Sequence, residues 1–264
     1  MTAADVVIIG GGVIGANIAR ELARYRLRMV LLEKEADLCT GASGSNGGVV
    51  HAGYDPKPGT LKAKLNAKGN AMFEELTGEL GVPFRKTGSL VIITKESEFN
   101  ILESLYQRGK QNGVPGLEIV TRDRLMRMEP NVNPDAVAAL HAPTGAIVCP
   151  FALTIALAEN AVMNGVKVLL ETAATGIRVE NGKVVGVETS RGFIRAAYVI
   201  NAAGVYADEV AAMAGAGGFK ITPRKGERLV YDRSVDGIVR RIIFGVPRPS
   251  KAGVMRKGGA VVPT

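Results

Sequence analysis

The stretch VVIIGGGVIGANIARELARYRLRMVLLEKE, residues 6–35, restricts the fold of this chain more than any other part of it. Residues 5–9 form a β-branched apolar run, which predicts a buried strand. Gly10, Gly12 and Gly15 follow, inside a helical pattern over 12–25 in which Ile14, Ile18, Leu22 and Tyr25 can share one face. A second apolar run, residues 28–33, ends on an acid, Glu33. Strand, glycine turn, helix and strand make a βαβ unit. Gly10 permits a sharp exit from the strand, Gly12 leaves room for a pyrophosphate on the backbone, and Gly15 lets helix and strand pack closely. The free N–H groups at the helix start, Val13 and Ile14 among them, and the helix dipole attract phosphate. Glu33 is placed to accept hydrogen bonds from ribose hydroxyls, which speaks against a 2′-phosphate, although the neighbouring Lys34 keeps that reading open. The pattern predicts a dinucleotide site, against the plainer alternative of a glycine-rich structural turn.

Composition narrows the field further. The 264 residues suffice for one large domain or two small ones. Glycine is in excess, 33 residues, about an eighth of the chain against a usual ~7%. That excess predicts tight turns and close backbone approaches to a ligand. The two cysteines, Cys39 and Cys149, lie far apart, and there are only two histidines, His51 and His141. A disulfide framework, a zinc site and a histidine-rich metal centre are therefore not expected. The net charge of +8 is spread along the chain and Trp is absent. This reads as a solvated surface with a weak pull toward anionic ligands, and no nucleic-acid partner is expected. The start, MTAADVVIIG, has no basic leader region. The longest uncharged run, residues 136–158, holds two prolines, a histidine, a glycine and two threonines, so no transmembrane segment is expected. A soluble, cytoplasmic protein is the expectation.

After Glu33 an amphipathic helix would be ordinary in a dinucleotide fold. The sequence instead runs GASGSNGG over 41–48, polar and glycine-rich. Such a loop can lay backbone amides along the far half of an extended cofactor, the alternative being a flexible surface loop. Further on, helices are expected over 61–80, with Leu61, Leu65, Met72, Phe73, Leu76 and Leu80 as apolar face, over 98–112 with Gly113 as cap, after Thr121, over 150–164 and over 208–214. Strands are expected at 89–94, 166–170 and 228–231, followed by a loose basic tail. Residues 176–204 read as a three-stranded meander with an Asn181-Gly182 hairpin, returning to Ala202-Ala203-Gly204. Small residues at that strand end permit a cofactor across the sheet edge, though a tight helix start would look the same.

Three segments, DVVIIGGGVIGANIARELARY, GASGSNGGVVHAGYDPKPGTLKAKL and YVINAAGVYADEVA, resemble the FAD-dependent oxidoreductases of the D-amino-acid oxidase superfamily. The likeness is greatest to the branch of L-2-hydroxyglutarate oxidase and anaerobic glycerol-3-phosphate dehydrogenase-like proteins, and it runs over residues 5–232. It implies an α/β fold, a glutathione-reductase-type FAD-binding Rossmann-like domain with a second, mixed α+β substrate domain. The first would take in 1–80 and 150–215, the second 81–149 and 216–264. Carried over by resemblance, Gly10, Gly12, Gly15 and Glu33 hold ADP. Ser43, Asn46 and Gly47 lie toward pyrophosphate and flavin, the backbone of Ala174 meets adenine, and Ala203 and Gly204 pack on the cofactor.

The resemblance implies oxidation of a small anionic alcohol, a 2-hydroxy acid or glycerol 3-phosphate, with electrons passing to a quinone, a partner subunit or oxygen. An amine or amino-acid oxidase is the alternative within the superfamily. His51, in VVHAGY, is the candidate base, since an imidazole titrates near pH ~6.5. Hydrogen bonding to flavin or backbone, and covalent flavin attachment, are its other readings. Lys62 and Arg224 are candidate partners of a substrate carboxylate or phosphate, against a plain solvated role. His141 reads as structural. The sequence ends at KAGVMRKGGAVVPT, where the family pattern continues with a second glycine-rich flavin contact, a last strand and a closing helix. A fragment is expected, the alternatives being a split enzyme completed by a partner chain and an inactive remnant.

Overall fold

The computed structural model describes residues 2–246, 248–249, 255–256 and 259–263. In chain order the elements are β1 (Thr2–Ile9), α1 (Val13–Leu22), β2 (Met29–Leu32), β3 (Val49–Val50), α2 (Leu61–Leu80), β4 (Phe84–Arg85), β5 (Ser89–Ile93), α3 (Phe99–Gln111), β6 (Glu118–Thr121), α4 (Arg122–Met128), β7 (Ala138–Ala142), β8 (Ala146–Val148), α5 (Pro150–Met163), β9 (Lys167–Leu169), β10 (Ala174–Glu180), β11 (Lys183–Thr189), β12 (Gly192–Asn201), α6 (Ala207–Met213), β13 (Ile242–Gly245), β14 (Arg248–Pro249), β15 (Met255–Arg256) and β16 (Ala260–Val261). By packing, the chain divides into two compact units. The first is Met1–Asn46, Leu80–Val82 and Cys149–Arg228; the second is Gly47–Glu79, Pro83–Val148 and Leu229–Thr264. Residues 47–79, expected with the first domain, thus pack with the second, and residues 216–228 pack with the first.

The first unit is built on a six-stranded sheet ordered β10-β11-β12-β1-β2-β9. Strands β12, β1, β2 and β9 run parallel, and β10, β11 and β12 form an antiparallel meander. Both faces of the parallel part are covered, so its strands read as continuous apolar runs. Val6, Ile8, Met29 and Leu31 face Ala19 of α1 and Ala161 of α5. Val7, Ile9, Val30 and Leu32 face the other way, toward Val187 and Ile194 of the meander and Val210 of α6. The hairpin between β10 and β11 turns at Asn181 and Gly182, both with positive φ, as the sequence signal requires.

Helix α1 buries Gly15, Ala16, Ala19 and Arg20, while Ile14 and Tyr25 are exposed. The bulky stripe expected to face the core is therefore not the buried face at its two ends. A helix lying this close to strands needs small residues at the contact, and the larger side chains turn outward.

The second unit holds a five-stranded mixed sheet ordered β16-β13-β5-β7-β6 and a three-stranded one ordered β3-β8-β4. One face of the larger sheet packs Val91, Ile93 and Leu140 on Leu102 and Leu105 of α3. The other packs Leu90, Ile92 and Ala139 on Leu125 of α4. Helix α2 has the expected bounds but buries Ala63 and Thr77; Leu61, Leu65 and Met72 are exposed. The strand expected at 228–231 does not form: those residues are irregular and Leu229, Val230 and Tyr231 are exposed. The tail instead contributes β13, which adds in parallel to β5. Its apolar Ile242 is fully buried there, a partner choice that no local pattern encodes.

Candidate functional site

The parallel strands of the first unit stop together. Ile9 is in register with Asn201 on one side and Leu32 on the other, and Leu32 with Leu169. Their carboxyl ends form one edge, the place where an open parallel sheet takes a ligand. At the centre of that edge Gly10 turns with φ of 114°, a conformation that disfavours any side chain. A Cβ there would collide with the Ala202 carbonyl, so the exit of β1 lies directly against the Ala202-Ala203 strand end. A Cβ at Gly15 would collide with the Gly10 carbonyl, which brings α1 onto the turn it leaves.

Glu33 follows β2 and is buried. Its Oε2 accepts the Gly11 N–H at 2.7 Å and its Oε1 the Glu35 N–H at 3.0 Å. A Cβ at Gly11 would lie 2.5 Å from the tip of Leu38 and 2.9 Å from Glu33 Oε2, so a side chain there would have to displace the acid or Leu38. The carboxylate is thus fixed between the glycine turn and its own strand end. The backbone of 171–172 joins it: the Thr172 N–H donates to the Glu33 carbonyl and the Glu171 N–H to the Glu35 carbonyl, both at 2.8 Å. This lays the segment leading to Ala174 beside the acid, where Ala174 begins β10. Lys34 Nζ lies 4.0 Å from the centre of the Tyr206 ring and 3.5 Å from Glu35.

The polar loop after β2 folds back on the helix start. Ser43 Oγ accepts the Val13 N–H at 2.9 Å, and it would lie 3.0 Å from a Cβ at Gly12. Cys39 anchors the loop: its N–H donates to the Gly11 carbonyl and its Sγ lies 3.3 Å from Thr154 Oγ1 of α5. Gly44 lies against the Cys39 carbonyl and the Phe151 ring, so the loop is packed rather than free. Asn46 Nδ2 bonds the Ala42 carbonyl, closing the turn. The Arg228 side chain donates to the Ser45 carbonyl at 3.3 Å. The structure thus brings together Gly10, Gly12, Val13, Ile14, Gly15, Glu33, Ser43, Asn46 and Ala203 in one unit, with Gly204 following at φ of 59°. Gly11, Cys39 and Tyr206 were missed. Gly11 stood in the glycine run, but nothing in the sequence pointed to the other two.

Gly47, His51 and Lys62 belong to the second unit, and Arg224 to the first. The His51 ring is exposed and stacks on Phe244, with centroids 5.8 Å apart. Its carbonyl accepts from Asn66 Nδ2 at 3.0 Å, which ties it to α2, the helix that carries the exposed Lys62. Arg224 is exposed in an irregular stretch. His141 lies in β7 with Nδ1 3.0 Å from Glu118 Oε1, a structural pair. Among the described residues no group of three or more His, Cys, Asp or Glu is placed to hold a metal, and no helix is long and apolar enough to cross a membrane.

The glycine edge and the fixed acid fit an extended dinucleotide: a turn packed too closely for side chains at Gly10 and Gly15, first-turn N–H groups free of intrahelical partners, and a carboxylate at the strand end. Known proteins agree. Residues 5–262 match the family described as FAD dependent oxidoreductase. The chain is 45% identical over 260 residues to the glycerol 3-phosphate dehydrogenase of Caloramator mitchellensis, covering 98% of this chain and 53% of that protein. It is 33% identical over 250 residues to the L-2-hydroxyglutarate dehydrogenase of Indibacter alkaliphilus, covering 93% and 62%. The dithionite-reduced, FAD-bound L-alpha-glycerophosphate oxidase of Mycoplasma pneumoniae superposes with a TM-score of 0.83 at 30% identity, over 99% of this chain and 72% of that one. The chain therefore spans 53% to 62% of the length of these two curated relatives. The cofactor is FAD, and the chain belongs to the FAD dependent oxidoreductase family.

Proposed function

We propose that the chain belongs to a flavoenzyme that oxidises a small anionic alcohol, glycerol 3-phosphate or a 2-hydroxy acid. The observation that carries this reading is the 45% identity to a glycerol 3-phosphate dehydrogenase, extending over both units. The first unit acts as the FAD-binding domain and the second as the substrate domain of a cytoplasmic protein. Bound flavin supplies the hydride acceptor, and the residues of this chain supply placement and charge.

The N–H groups at Gly12, Ile14 and Gly15 hold the pyrophosphate beside Val13, whose own N–H is held by Ser43 Oγ, and Glu33 accepts from the ribose. The Ala174 backbone meets adenine. Ser43, Asn46 and Gly47 extend the contact toward the flavin, with Ala203 and Gly204 packed on the cofactor. Lys34, held on Tyr206, flanks the acid. His51 accepts the substrate hydroxyl proton at a ring nitrogen, and Lys62 and Arg224 pair with the anionic group. Electrons then leave to a quinone, a partner subunit or oxygen. Amine or amino-acid oxidation is the alternative reading.

The test is anaerobic bleaching of the FAD-loaded chain by L-glycerol 3-phosphate, L-2-hydroxyglutarate, glycine and L-proline. Rapid bleaching by one of the first two is expected. Bleaching by the amines alone would overturn the substrate class. A chain that holds flavin but is bleached by none would be a cofactor-binding fragment or subunit.

A further inference from the structure

We propose that a basic cavity in the second unit is a binding site for a phosphate-bearing anion. The cavity has a volume of about 590 Å³, and its walls carry Arg85, Lys86, Arg124, Arg127, Arg240 and Arg241. Three separate pieces of chain deliver these cations. Arg85 ends β4 and Lys86 follows it, Arg124 and Arg127 lie one turn apart on α4, and Arg240 and Arg241 precede β13.

Only part of this charge is compensated nearby. Arg124 pairs with Glu118 at 2.6 Å, and Lys86 pairs with Glu74. Arg241 lies 3.5 Å from Glu129, a buried carboxylate whose other oxygen accepts the Arg240 N–H at 3.0 Å. Among the described residues the Arg127 and Arg240 side chains meet no carboxylate, and Arg85 donates to the Pro263 carbonyl at 3.2 Å. Among the described residues, three guanidinium groups, those of Arg85, Arg127 and Arg240, therefore face one cavity without a carboxylate partner. Arg241 also has a buried Nε without a hydrogen-bond partner.

Converging like charges raise the local potential and draw in an anion. The residue type then selects which anion. Guanidinium presents a planar fork that matches phosphate oxygens two at a time. A phosphate monoester offers three acceptor oxygens and nearly two negative charges, against one charge for a carboxylate. Its three oxygens and higher charge suit Arg85, Arg127 and Arg240 together better than the two oxygens and single charge of a carboxylate. None of the six cations is among the residues proposed to hold FAD or the oxidised substrate, so this site does not depend on that reading.

A soluble phosphate compound and a lipid headgroup share this chemistry, and the test separates them. The FAD-loaded full chain, its dinucleotide edge occupied, is titrated calorimetrically with inorganic pyrophosphate at low and high salt, and sedimented with phosphatidylglycerol or phosphatidylcholine vesicles. Saturable pyrophosphate binding, weakened by salt and by about tenfold or more in R127Q/R240Q, would identify a soluble ligand. Retention by phosphatidylglycerol vesicles without pyrophosphate binding, again lost in R127Q/R240Q, would identify a lipid headgroup. R178Q/R191Q, two ion-paired residues of the first unit, should leave either binding unchanged. R127K/R240K keeps the charge and loses the forks, so it should bind with intermediate strength, and it replaces the glutamine pair should that pair fail to fold. No binding by the unaltered chain to either probe, or binding that survives R127Q/R240Q, overturns the proposal.

Discussion

The two sheets use their strand ends differently. In the first unit β12, β1, β2 and β9 are parallel and stop in register, so backbone turns and a helix start collect on one edge. In the second unit β13 and β5 are parallel while β7, β6 and β16 run the opposite way to their neighbours, so no edge gathers all the carboxyl ends. The first arrangement offers main-chain N–H groups to a ligand, which needs glycine and close approach. The second offers side chains, among them the exposed His51 and Lys62 and the cations lining the cavity. The contrast teaches that substitutions in the first unit should act on cofactor retention and folding, and those in the second on turnover and ionic partners.

The largest expected effect would break this division if it failed. In the FAD-loaded protein His51→Asn should lower kcat by about a hundredfold to ten-thousandfold, the range for losing a general base, while flavin content stays unchanged. Equal loss of flavin and turnover would mean that His51 serves the cofactor instead. Next comes Gly15→Val, which forces a side chain into the Gly10 carbonyl. Overpacking of this kind costs about 1–3 kcal/mol or more, and thermal melts together with flavin absorbance should both fall.

Glu33→Ala removes the acceptor of the Gly11 and Glu35 N–H groups. Leaving such groups unpaired costs about 1–3 kcal/mol, and FAD affinity, read by flavin fluorescence, should drop about tenfold. Ser43→Ala takes the oxygen from the Val13 N–H. The expected loss is about 0.5–1.5 kcal/mol in urea unfolding, with a smaller change in FAD binding because the amide then becomes available to phosphate.

The smallest effect concerns the second unit. The hydrogen bond from His141, aided by Arg124, holds the Glu118 carboxyl below its ordinary value of 4.5. A lowered folded value means that this stabilisation is fully present above about that pH and is lost as pH falls through the folded value. Acid unfolding of Glu118→Gln should therefore start from lower stability at neutral pH and show a shallower slope below the ordinary glutamate range. An unchanged slope would show that the exposed part of the pair is screened.

The two regions also differ in how much of them can be read from order alone. The βαβ unit was legible because its signals are local: an apolar run, three glycines and an acid within 30 residues, each tied to one backbone requirement. The Asn181-Gly182 hairpin and the helix bounds of α2 were legible for the same reason. Half of each expected helix stripe packs, Ile18 and Leu22 on the core of the first unit and Phe73, Leu76 and Leu80 half-buried in α2, while Ile14, Leu61, Leu65 and Met72 are exposed, because periodicity finds the apolar stripe but not what stands opposite it. Close packing selected Gly15, Ala16 and Ala19 in one helix and Ala63 and Thr77 in the other. The charge of +8 looked evenly spread because its converging members sit at 85–86, 124–127 and 240–241.

By itself, then, the sequence determined the strand, turn and helix geometry of the dinucleotide edge, since glycine and a strand-end acid act through bonds and neighbours a few residues away. Only the tertiary structure decided that Ser43 caps Val13, that Tyr206 lies under Lys34, that β13 joins β5, and that six scattered cations share one cavity. Those contacts depend on which strands pair and in which register, a choice made by burying apolar area over the whole unit rather than by any local pattern.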